Sequence, residues 1–190
     1  MKIIAFTGAG ISKSAGIPAF EETPHLKEKL SAAFKKSNPQ EFEETLNLLK
    51  ANIKGKKPTK AHYVLAVFQV PVITMNIDGL HQKAGSRTVY ELHGNAEKDN
   101  IVLYGQELLC AEDSIKLLIH TAIEASANNE IMVCLVIGTS MQTAFANNLI
   151  DFAEKLGMKI YNINQNADEE TPKFFKEIYG FLPEDMPAEF

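Results

Sequence analysis

The chain has 190 residues, of which 45% are hydrophobic and 23% charged, proportions typical of one globular domain and unlike those of a disordered or fibrous chain. Its formal net charge of -5 disfavours nucleic acid as a partner, because binding a phosphate backbone ordinarily needs a basic surface. The longest apolar runs, 61–75 and 131–137, are too interrupted or too short to span a bilayer, and the apolar start is too short for a signal peptide. We therefore expect a single domain over residues 1–190, located in the cytoplasm and without a membrane partner.

Six short apolar runs alternate with helical stretches along the chain. The absence of polar alternation within the runs indicates strands buried on both faces of a parallel sheet. Apolar residues at helical spacing predict helices over 41–53, 59–68, 113–127 and 144–156. The sequence therefore predicts an α/β fold with a Rossmann-like parallel six-stranded sheet flanked by helices, and the strand-free stretch 21–57 predicts a small helical insertion. The six predicted strands cover residues 2–6, 70–74, 88–92, 101–104, 131–137 and 159–163.

Five of the runs end in loops that carry glycine or polar side chains. In an open parallel sheet these loops meet at the carboxyl edge, which is where ligands bind. A single such loop is usually only a tight turn, but five at one edge indicate a large, polar, phosphate-bearing ligand. The loops contain Gly8-Ala9-Gly10, Asn76-Ile77-Asp78, His93-Gly94, Gly138-Thr139-Ser140 and Asn164.

The first loop suits a diphosphate, with Ser12 behind two glycines that let the backbone approach a ligand. The standard dinucleotide fingerprint is nevertheless not met. Lys13 stands where the third glycine belongs, and no second strand with an acidic residue follows about twenty residues later. A nucleotide ligand is therefore predicted, whereas a standard dehydrogenase is not.

Among the titratable residues, His93 is the candidate general base, because it ends a predicted strand in a site otherwise short of bases. Asn76 and Asp78 either form an Asx-turn or hold an amide and a hydroxyl of the ligand. The remaining histidines have no partners in view, and we interpret them as structural. They are His25, His62, His81 and His120.

The two cysteines do not suggest a metal site. Cys110 and Cys134 are separated by 23 residues and form no Cys-x-x-Cys pair, whereas a structural zinc site needs about four ligands. Cys134 lies in an apolar run and is expected to be a small buried hydrophobe. No metal is predicted, and Cys110 is given no role.

Several of these motifs resemble the sirtuin family. The segment 8–18 (GAGISKSAGIP) resembles the family's N-terminal signature, and 74–85 (TMNIDGLHQKAG) resembles its second motif almost residue for residue. Residues 91–94 (ELHG) match the third motif, and 101–108 resemble the strand against which sirtuins dock peptide. Together with 58–62, 137–142 and 163–164, the resemblance covers residues 3 to 166 in order and spacing.

The resemblance implies an NAD-dependent protein lysine deacylase, which cleaves NAD to nicotinamide and transfers the acyl group of an acyl-lysine protein or peptide to ADP-ribose. It implies that His93 is the base and that Asn76 faces the adjoining ribose. The substrate would lie against Tyr104, Gly105 and Gln106. The residues implied in NAD binding are Gly8, Ala9, Gly10, Ser12, Ile17, Phe20, Asn76, Ile77, Asp78, Gly138, Thr139, Ser140 and Asn164.

The chain departs from the family pattern in three places. Only six residues, 95–100, stand where sirtuins carry a zinc-binding module, so this module is expected to be missing. Ala19 and Glu21 replace an acid and a cation of the family's Pro-Asp-Phe-Arg, and Met75 replaces a glutamine. These changes leave open an NAD glycohydrolase, a mono-ADP-ribosyltransferase or a non-catalytic NAD-binding module. An edge at 105–108 open to a peptide strand would favour deacylation, and one covered by 109–113 or by a neighbouring subunit would not.

Overall fold

The structure is a computed structural model that describes residues 1–18, 24–141 and 143–182. Its described residues contain one five-stranded sheet with the order β3-β2-β1-β4-β5, in which every neighbouring pair is parallel. This order reverses beside β1, as in doubly wound nucleotide-binding folds, and it leaves a crevice at the carboxyl ends of the strands. The strands are β1 (Lys2–Thr7), β2 (Val72–Thr74), β3 (Val89–Glu91), β4 (Met132–Ile137) and β5 (Lys159–Ile163).

The prediction of a sixth strand over 101–104 is wrong. Residues 92–100 are fewer than the dozen or so that a crossover to another parallel strand needs, and the chain folds back on itself instead. Val102 N donates to His93 O at 2.9 Å, and Tyr104 forms an isolated parallel bridge with Ser31 outside the sheet. The segment therefore lies at the rim of the site and not in the sheet.

Eight α-helices are described, and the four predicted ones are confirmed with bounds that shift by no more than two residues. Three short 3₁₀ or α-helical segments flank the loops of the carboxyl edge, namely the 3₁₀ helices Ala9–Ala15 and Ala96–Lys98 and α5 (Leu80–Lys83). The C-terminal helix α8 was not predicted. The remaining helices are α1 (Pro24–Lys29), α2 (Ala32–Ser37), α3 (Pro39–Ile53), α4 (Lys60–Val67), α6 (Ala111–Ala127), α7 (Ala144–Lys155) and α8 (Ala167–Tyr179).

The sheet carries a hydrophobic core on each face, as its apolar strands predict. Ile3 and Ala5 of β1 pack with α4 and with Phe175 of α8, whereas Ile4 and Phe6 pack with residues of α6 and α7. No helix among the described residues combines the length and apolarity that crossing a membrane would require.

Helices α1 to α3 do not cover a face of the sheet but pack over the loops at its carboxyl edge. Ile53 and Leu49 of α3 contact Ile17, Ile77 and Leu80 in a third small core. Leu30, Phe42 and Leu103 form the centre of a fourth. Helices α1 to α3, the helical region of this fold, thus cover the crevice.

Candidate active site

The loops that follow all five strands line one cavity of about 520 Å³ at the carboxyl edge of the sheet. The structure thereby brings together the predicted Gly8-Ala9-Gly10, His93, Gly138-Thr139-Ser140 and Asn164. Asn164 Oδ1 accepts a 3.3 Å hydrogen bond from Thr139 N, which links the loops after β4 and β5. A crevice of this size with a few converging polar groups is the usual form of a small-molecule site.

The glycines of this cavity are needed for contact between two loops. A Cβ on Gly10 would lie 2.6 Å from Gly138 Cα, and one on Gly138 would lie 2.3 Å from Ile11 N. Gly10 N donates to Gly138 O at 2.7 Å, and Ile11 N donates to Gly8 O at 3.2 Å. These two N–H groups are used inside the protein, so in this conformation they are not available to a phosphate.

A second cavity of about 510 Å³ adjoins the first and shares Ala9 and Ile77 with it. Asn76, Asp78 and Ile17 line this second cavity, together with residues of α1 and α3. The predicted site residues are therefore divided between two connected spaces that meet at Ala9 and Ile77.

Ser12 supports the second cavity from behind. It is fully buried and is not among the residues that line either cavity. Its hydroxyl donates to Asp78 Oδ2 at 2.7 Å and accepts from Asn76 Nδ2 at 3.2 Å. The loop motif predicts Ser12 beside a diphosphate, whereas in the structure its hydroxyl is occupied within the protein.

Asp78 both forms the Asx-turn and faces the second cavity. Its Oδ1 accepts from Leu80 N at 2.9 Å, the pattern of an Asx-turn, which begins α5. Its Oδ2 accepts from Ser12 and, at 3.3 Å, from Asn76 Nδ2. A carboxylate only 4% exposed is tolerable here because hydrogen bonds replace the lost water.

His93 lies half-buried in the first cavity, just beyond β3. Its ring centroid is 6.3 Å from that of Tyr104. Burial lowers the pKa of His93 below 6.5, and the Val102 backbone opposes that change. The imidazole is therefore mainly neutral at pH 7, the form in which a histidine can accept a proton.

The helical region partly covers the rim of the first cavity beside His93. Tyr104 N donates to Leu30 O at 3.1 Å, and Ala32 N donates to Tyr104 O at 3.2 Å. The Tyr104 side chain lines the first cavity, and Lys27 Nζ lies 5.7 Å from its ring centroid. Residues 105–107 are exposed, so the edge is closed at Tyr104 and open immediately after it.

The short loop after His93 is tied to the loop that carries Asn76 and Asp78. Ala96 N donates to Ile77 O at 2.8 Å, and Asn95 N donates to Asn100 Oδ1 at 2.8 Å. Gly94 has a left-handed φ of 75°, and a Cβ there would lie 2.1 Å from Asn100 O. The loop 94–100 is therefore a closed turn with no room for a larger residue at Gly94.

Some predicted residues can be given no geometry. Ala19, Phe20, Glu21 and Gln142 lie outside the described residues. Within 1–18, 24–141 and 143–182, no group of three or more His, Cys, Asp or Glu side chains is arranged to hold a metal ion. Cys134 is buried in β4, and burial raises its pKa to about 12; Cys110 is exposed.

Two features of the site were not predicted from the sequence. Lys27 lines the first cavity, but it comes from the helical region, whose position over the site no sequence pattern gives. Thr7 and Thr74, at the ends of β1 and β2, join their hydroxyls behind the loops, and Thr7 also contacts His81. A polar residue ending each of two strands was the available signal for this pair.

Comparison with known proteins agrees with this architecture. Residues 8–108 match the sequence model of the Sir2 family. The chain is 30% identical, over 97% of its length and 87% of the relative's, to NAD-dependent protein deacetylase 1 of Pyrobaculum aerophilum. The fold also matches a solved complex of Sir2 with a p53 peptide and NAD⁺, at a TM-score of 0.76 and 26% identity over 94% of this chain and 93% of that one. The chain belongs to the Sir2 family, the sirtuins.

Several relatives of higher identity are matched over only part of their length. The chain is 45% identical over 105 residues to the NAD-dependent protein deacetylase of Sulfurisphaera tokodaii, which covers 50% of this chain and 42% of that protein. It spans 48% of NAD-dependent protein deacetylase 2 of Caldanaerobacter subterraneus, at 36% identity. The chain therefore spans less than half the length of these two relatives.

Proposed function

We propose that this chain is an NAD-dependent protein lysine deacylase. The observation that carries the proposal is the single crevice formed by loops from all five strands, with His93 and Tyr104 beside the first cavity and the Asn76–Asp78 pair in the second. The names of the Pyrobaculum and Sulfurisphaera relatives, both NAD-dependent protein deacetylases, support it. When bound, NAD supplies a nicotinamide leaving group and the ADP-ribose that receives the acyl group.

The two cavities suit a dinucleotide. They are of similar volume and meet at Ala9 and Ile77, so one elongated ligand can occupy both. The first offers hydroxyl and amide groups from Thr139, Ser140 and Asn164, which suit an adenosine half. The second offers the carboxylate of Asp78, which suits a carboxamide, and the buried amide of Asn76, which suits the adjoining ribose.

The roles of the chain's own groups follow from their chemistry. His93, neutral at pH 7, accepts a proton from a ribose hydroxyl. Asn76 orients the adjoining ribose, and Ile17 and Ile77 provide apolar walls that exclude water. Gly105 and Gln106 are exposed residues beside this site and offer a short edge to an extended acyl-lysine peptide.

The absence of a zinc-binding module, the domain bounds and the location of the chain are part of the same proposal. We infer that it lacks the zinc-binding module of its family, because the turn 94–100 closes on itself through Asn95 and Asn100. We also infer a single domain over 1–190 with the helical insertion at 21–57, and a cytoplasmic location, the last from the sequence alone.

A second candidate function is NAD glycohydrolase activity. The observation that favours it is the pairing of the Tyr104 main chain with Leu30 and Ala32, which shortens the edge available to a peptide. Water would then take the place of the acyl-lysine oxygen.

Nicotinamide release from NAD separates the two. The purified chain is incubated with NAD alone, with an unmodified peptide and with the same peptide carrying acetyl-lysine. Release that depends on the acetyl group is expected, whereas equal release in all three samples indicates a glycohydrolase. No release in any sample, including with longer acyl groups, contradicts the enzyme proposal. His120→Ala, on the exposed face of α6, is the matched control for variants of His93.

A further inference from the structure

A buried chain of hydrogen bonds runs from the Asn76 loop to the ring of His81. Asn76 N donates to Thr74 Oγ1 at 3.0 Å, and the Thr7 hydroxyl donates to Thr74 Oγ1 at 2.8 Å. Thr7 Oγ1 lies 2.9 Å from His81 Nε2. The side chains of Thr7, Thr74 and His81 are at most 2% exposed, so no water competes for these bonds.

The chain of hydrogen bonds determines which ring nitrogen of His81 carries the proton. A threonine hydroxyl has one hydrogen, and that of Thr7 is given to Thr74. A proton on His81 Nδ1 would be a buried donor without an acceptor, whereas a proton on Nε2 can be donated to Thr7 Oγ1. We therefore place the proton of His81 on Nε2 and a lone pair on Nδ1. His81 Nδ1 is buried without a partner among the described residues.

A second buried histidine holds His81 in its neutral form. The rings of His62 and His81 have centroids 4.5 Å apart. Thr59 N donates to His62 Nδ1 at 3.2 Å, and Thr59 Oγ1 lies 2.7 Å from the same nitrogen. A proton added to either ring would be a buried charge beside the other ring, and burial lowers the pKa of both.

Besides the bond from Ala96 N to Ile77 O, side chains hold the backbone of the Asn76 loop at two points. Thr74 Oγ1 binds Asn76 N at its start, and Asp78 Oδ1 binds Leu80 N at its end. The first point depends on a hydroxyl whose orientation is set through Thr7, and the second depends only on Asp78. Disturbing His81 or Thr7 should thus loosen the start of the loop and leave its end in place.

We propose that His81 is a positioning residue, whose Nε2–H orders the Thr7 and Thr74 hydroxyls so that Thr74 receives the Asn76 N–H. This inference rests on the proposed function only for the role of Asn76 in binding and turnover of NAD. The hydrogen-bonded chain itself exists without any ligand, so it can be tested separately.

The first test is structural and needs no activity. In ¹⁵N-labelled protein at pH 7, NMR should show neutral His81 protonated at Nε2. In Thr7→Val, which keeps the shape but removes the hydroxyl, hydrogen exchange at the Asn76 amide should quicken at least tenfold. Exchange at Leu80 and Leu135 should not change, and Thr7→Ser should restore the slow rate at Asn76. Thr171→Val is the control, because the Thr171 hydroxyl is fully buried but does not belong to this chain of hydrogen bonds.

The second test is kinetic. Thr7→Val and His81→Leu should lower kcat/KM for NAD by on the order of tenfold or more, since small displacements of positioning groups have effects of that size. His81→Gln, whose amide can donate from a similar point, should retain more activity than His81→Leu. Thr171→Val should match the wild type.

The outcomes separate the two proposals. His81 protonated at Nδ1 or charged at pH 7, or an Asn76 amide unaffected by Thr7→Val, overturns the positioning role, even if the enzyme is a deacylase. Absence of nicotinamide release from the wild type overturns the function and leaves the exchange result standing. If Thr7→Val does not fold, the tautomer in the wild type decides.

Discussion

The Ser12 hydroxyl donates a 2.7 Å hydrogen bond to Asp78 Oδ2 and so joins two loops that lie 66 residues apart in the sequence. Ser12 follows β1, and Asp78 follows the neighbouring strand β2. Both side chains are buried, so the bond holds the carboxylate in one orientation at the wall of the second cavity. The orientation of a group proposed to contact the ligand thus depends on a residue outside both cavities.

Ser12→Ala should destabilise the fold by about 1–3 kcal/mol, because it removes a donor from a buried carboxylate. Urea unfolding followed by circular dichroism measures the change. Ser14→Ala is the matched control, since Ser14 donates to Asp168 in an exposed setting, and its effect should stay below about 0.5 kcal/mol. Equal effects of the two substitutions would contradict the importance of the buried bond.

His93→Ala should lower the rate of nicotinamide release by roughly 10²–10⁴-fold while leaving NAD binding intact, because it removes the proposed general base. In the wild type the rate should fall only below pH 6.5, since burial lowers the pKa of His93 and the base works when unprotonated. A rate profile between pH 5 and 8 tests this. Unchanged turnover in the variant, or an acid limb centred above 6.5, would rule out the role.

Gly138→Ala should destabilise the protein by more than Gly55→Ala. Both glycines have left-handed backbones, with φ of 62° and 76°, so each substitution carries a similar conformational strain of about 1–3 kcal/mol. At Gly138 the added methyl group also meets Ile11 N, whereas nothing lies within 4 Å of it at Gly55. Thermal unfolding of both variants isolates the loop contact, and equal losses would show that the contact is unimportant.

The buried His62 should make the fold less stable in acid. Unfolded histidine binds a proton below about pH 6.5, but folded His62, with a pKa of about 3, does not. Stability is therefore lost as the pH falls from about 6.5 towards 3, by at most about 1.4 kcal/mol per pH unit for this group. His62→Gln should reduce that slope, because glutamine does not bind a proton in this range. Glutamine at this helix position can still complete the capping box with Thr59, so the variant should fold. His120→Gln should leave it unchanged, and an identical slope in wild type and His62→Gln would argue against the burial effect.

NAD should stabilise the folded chain. A ligand that binds only the folded state adds about 2.7 kcal/mol at a hundred times its dissociation constant. Thermal shift measurements across a range of NAD concentrations test this, with nicotinamide alone for comparison. If millimolar NAD produces no shift, the assignment of the crevice to this ligand is wrong.

Much of the fold could be predicted because its strands are short apolar runs with clear ends. β1 and β4 are buried on both faces, and this leaves a strong signal in their sequences. Residues 101–104 are equally apolar, but what decides their place is the length of the preceding loop and the contact of Tyr104 with Ser31. Helix α8 was missed because Pro172 and many charged residues obscure a face that depends on Phe175 for its burial.

The site was predictable only in part. The loop residues could be placed at one edge because parallel strands end there together. The division into two cavities could not, since it depends on how α1 and α3 cover the edge. The histidines His62 and His81 were expected to be structural, and nothing in their spacing indicated that the two rings meet behind the Asn76 loop.

The closed turn 94–100 has a consequence for how the site can move and be altered. Through the bond from Ala96 N to Ile77 O, the segment after His93 and the segment carrying Asn76 form a single mechanical unit. Opening that turn to accept inserted residues would separate Gly94 from Asn100 and release Ile77 from its anchor. A longer segment engineered at this point must therefore provide a new hydrogen bond to Ile77 O in place of the one from Ala96 N. Short surface insertions are better tolerated at the exposed Gly55 turn.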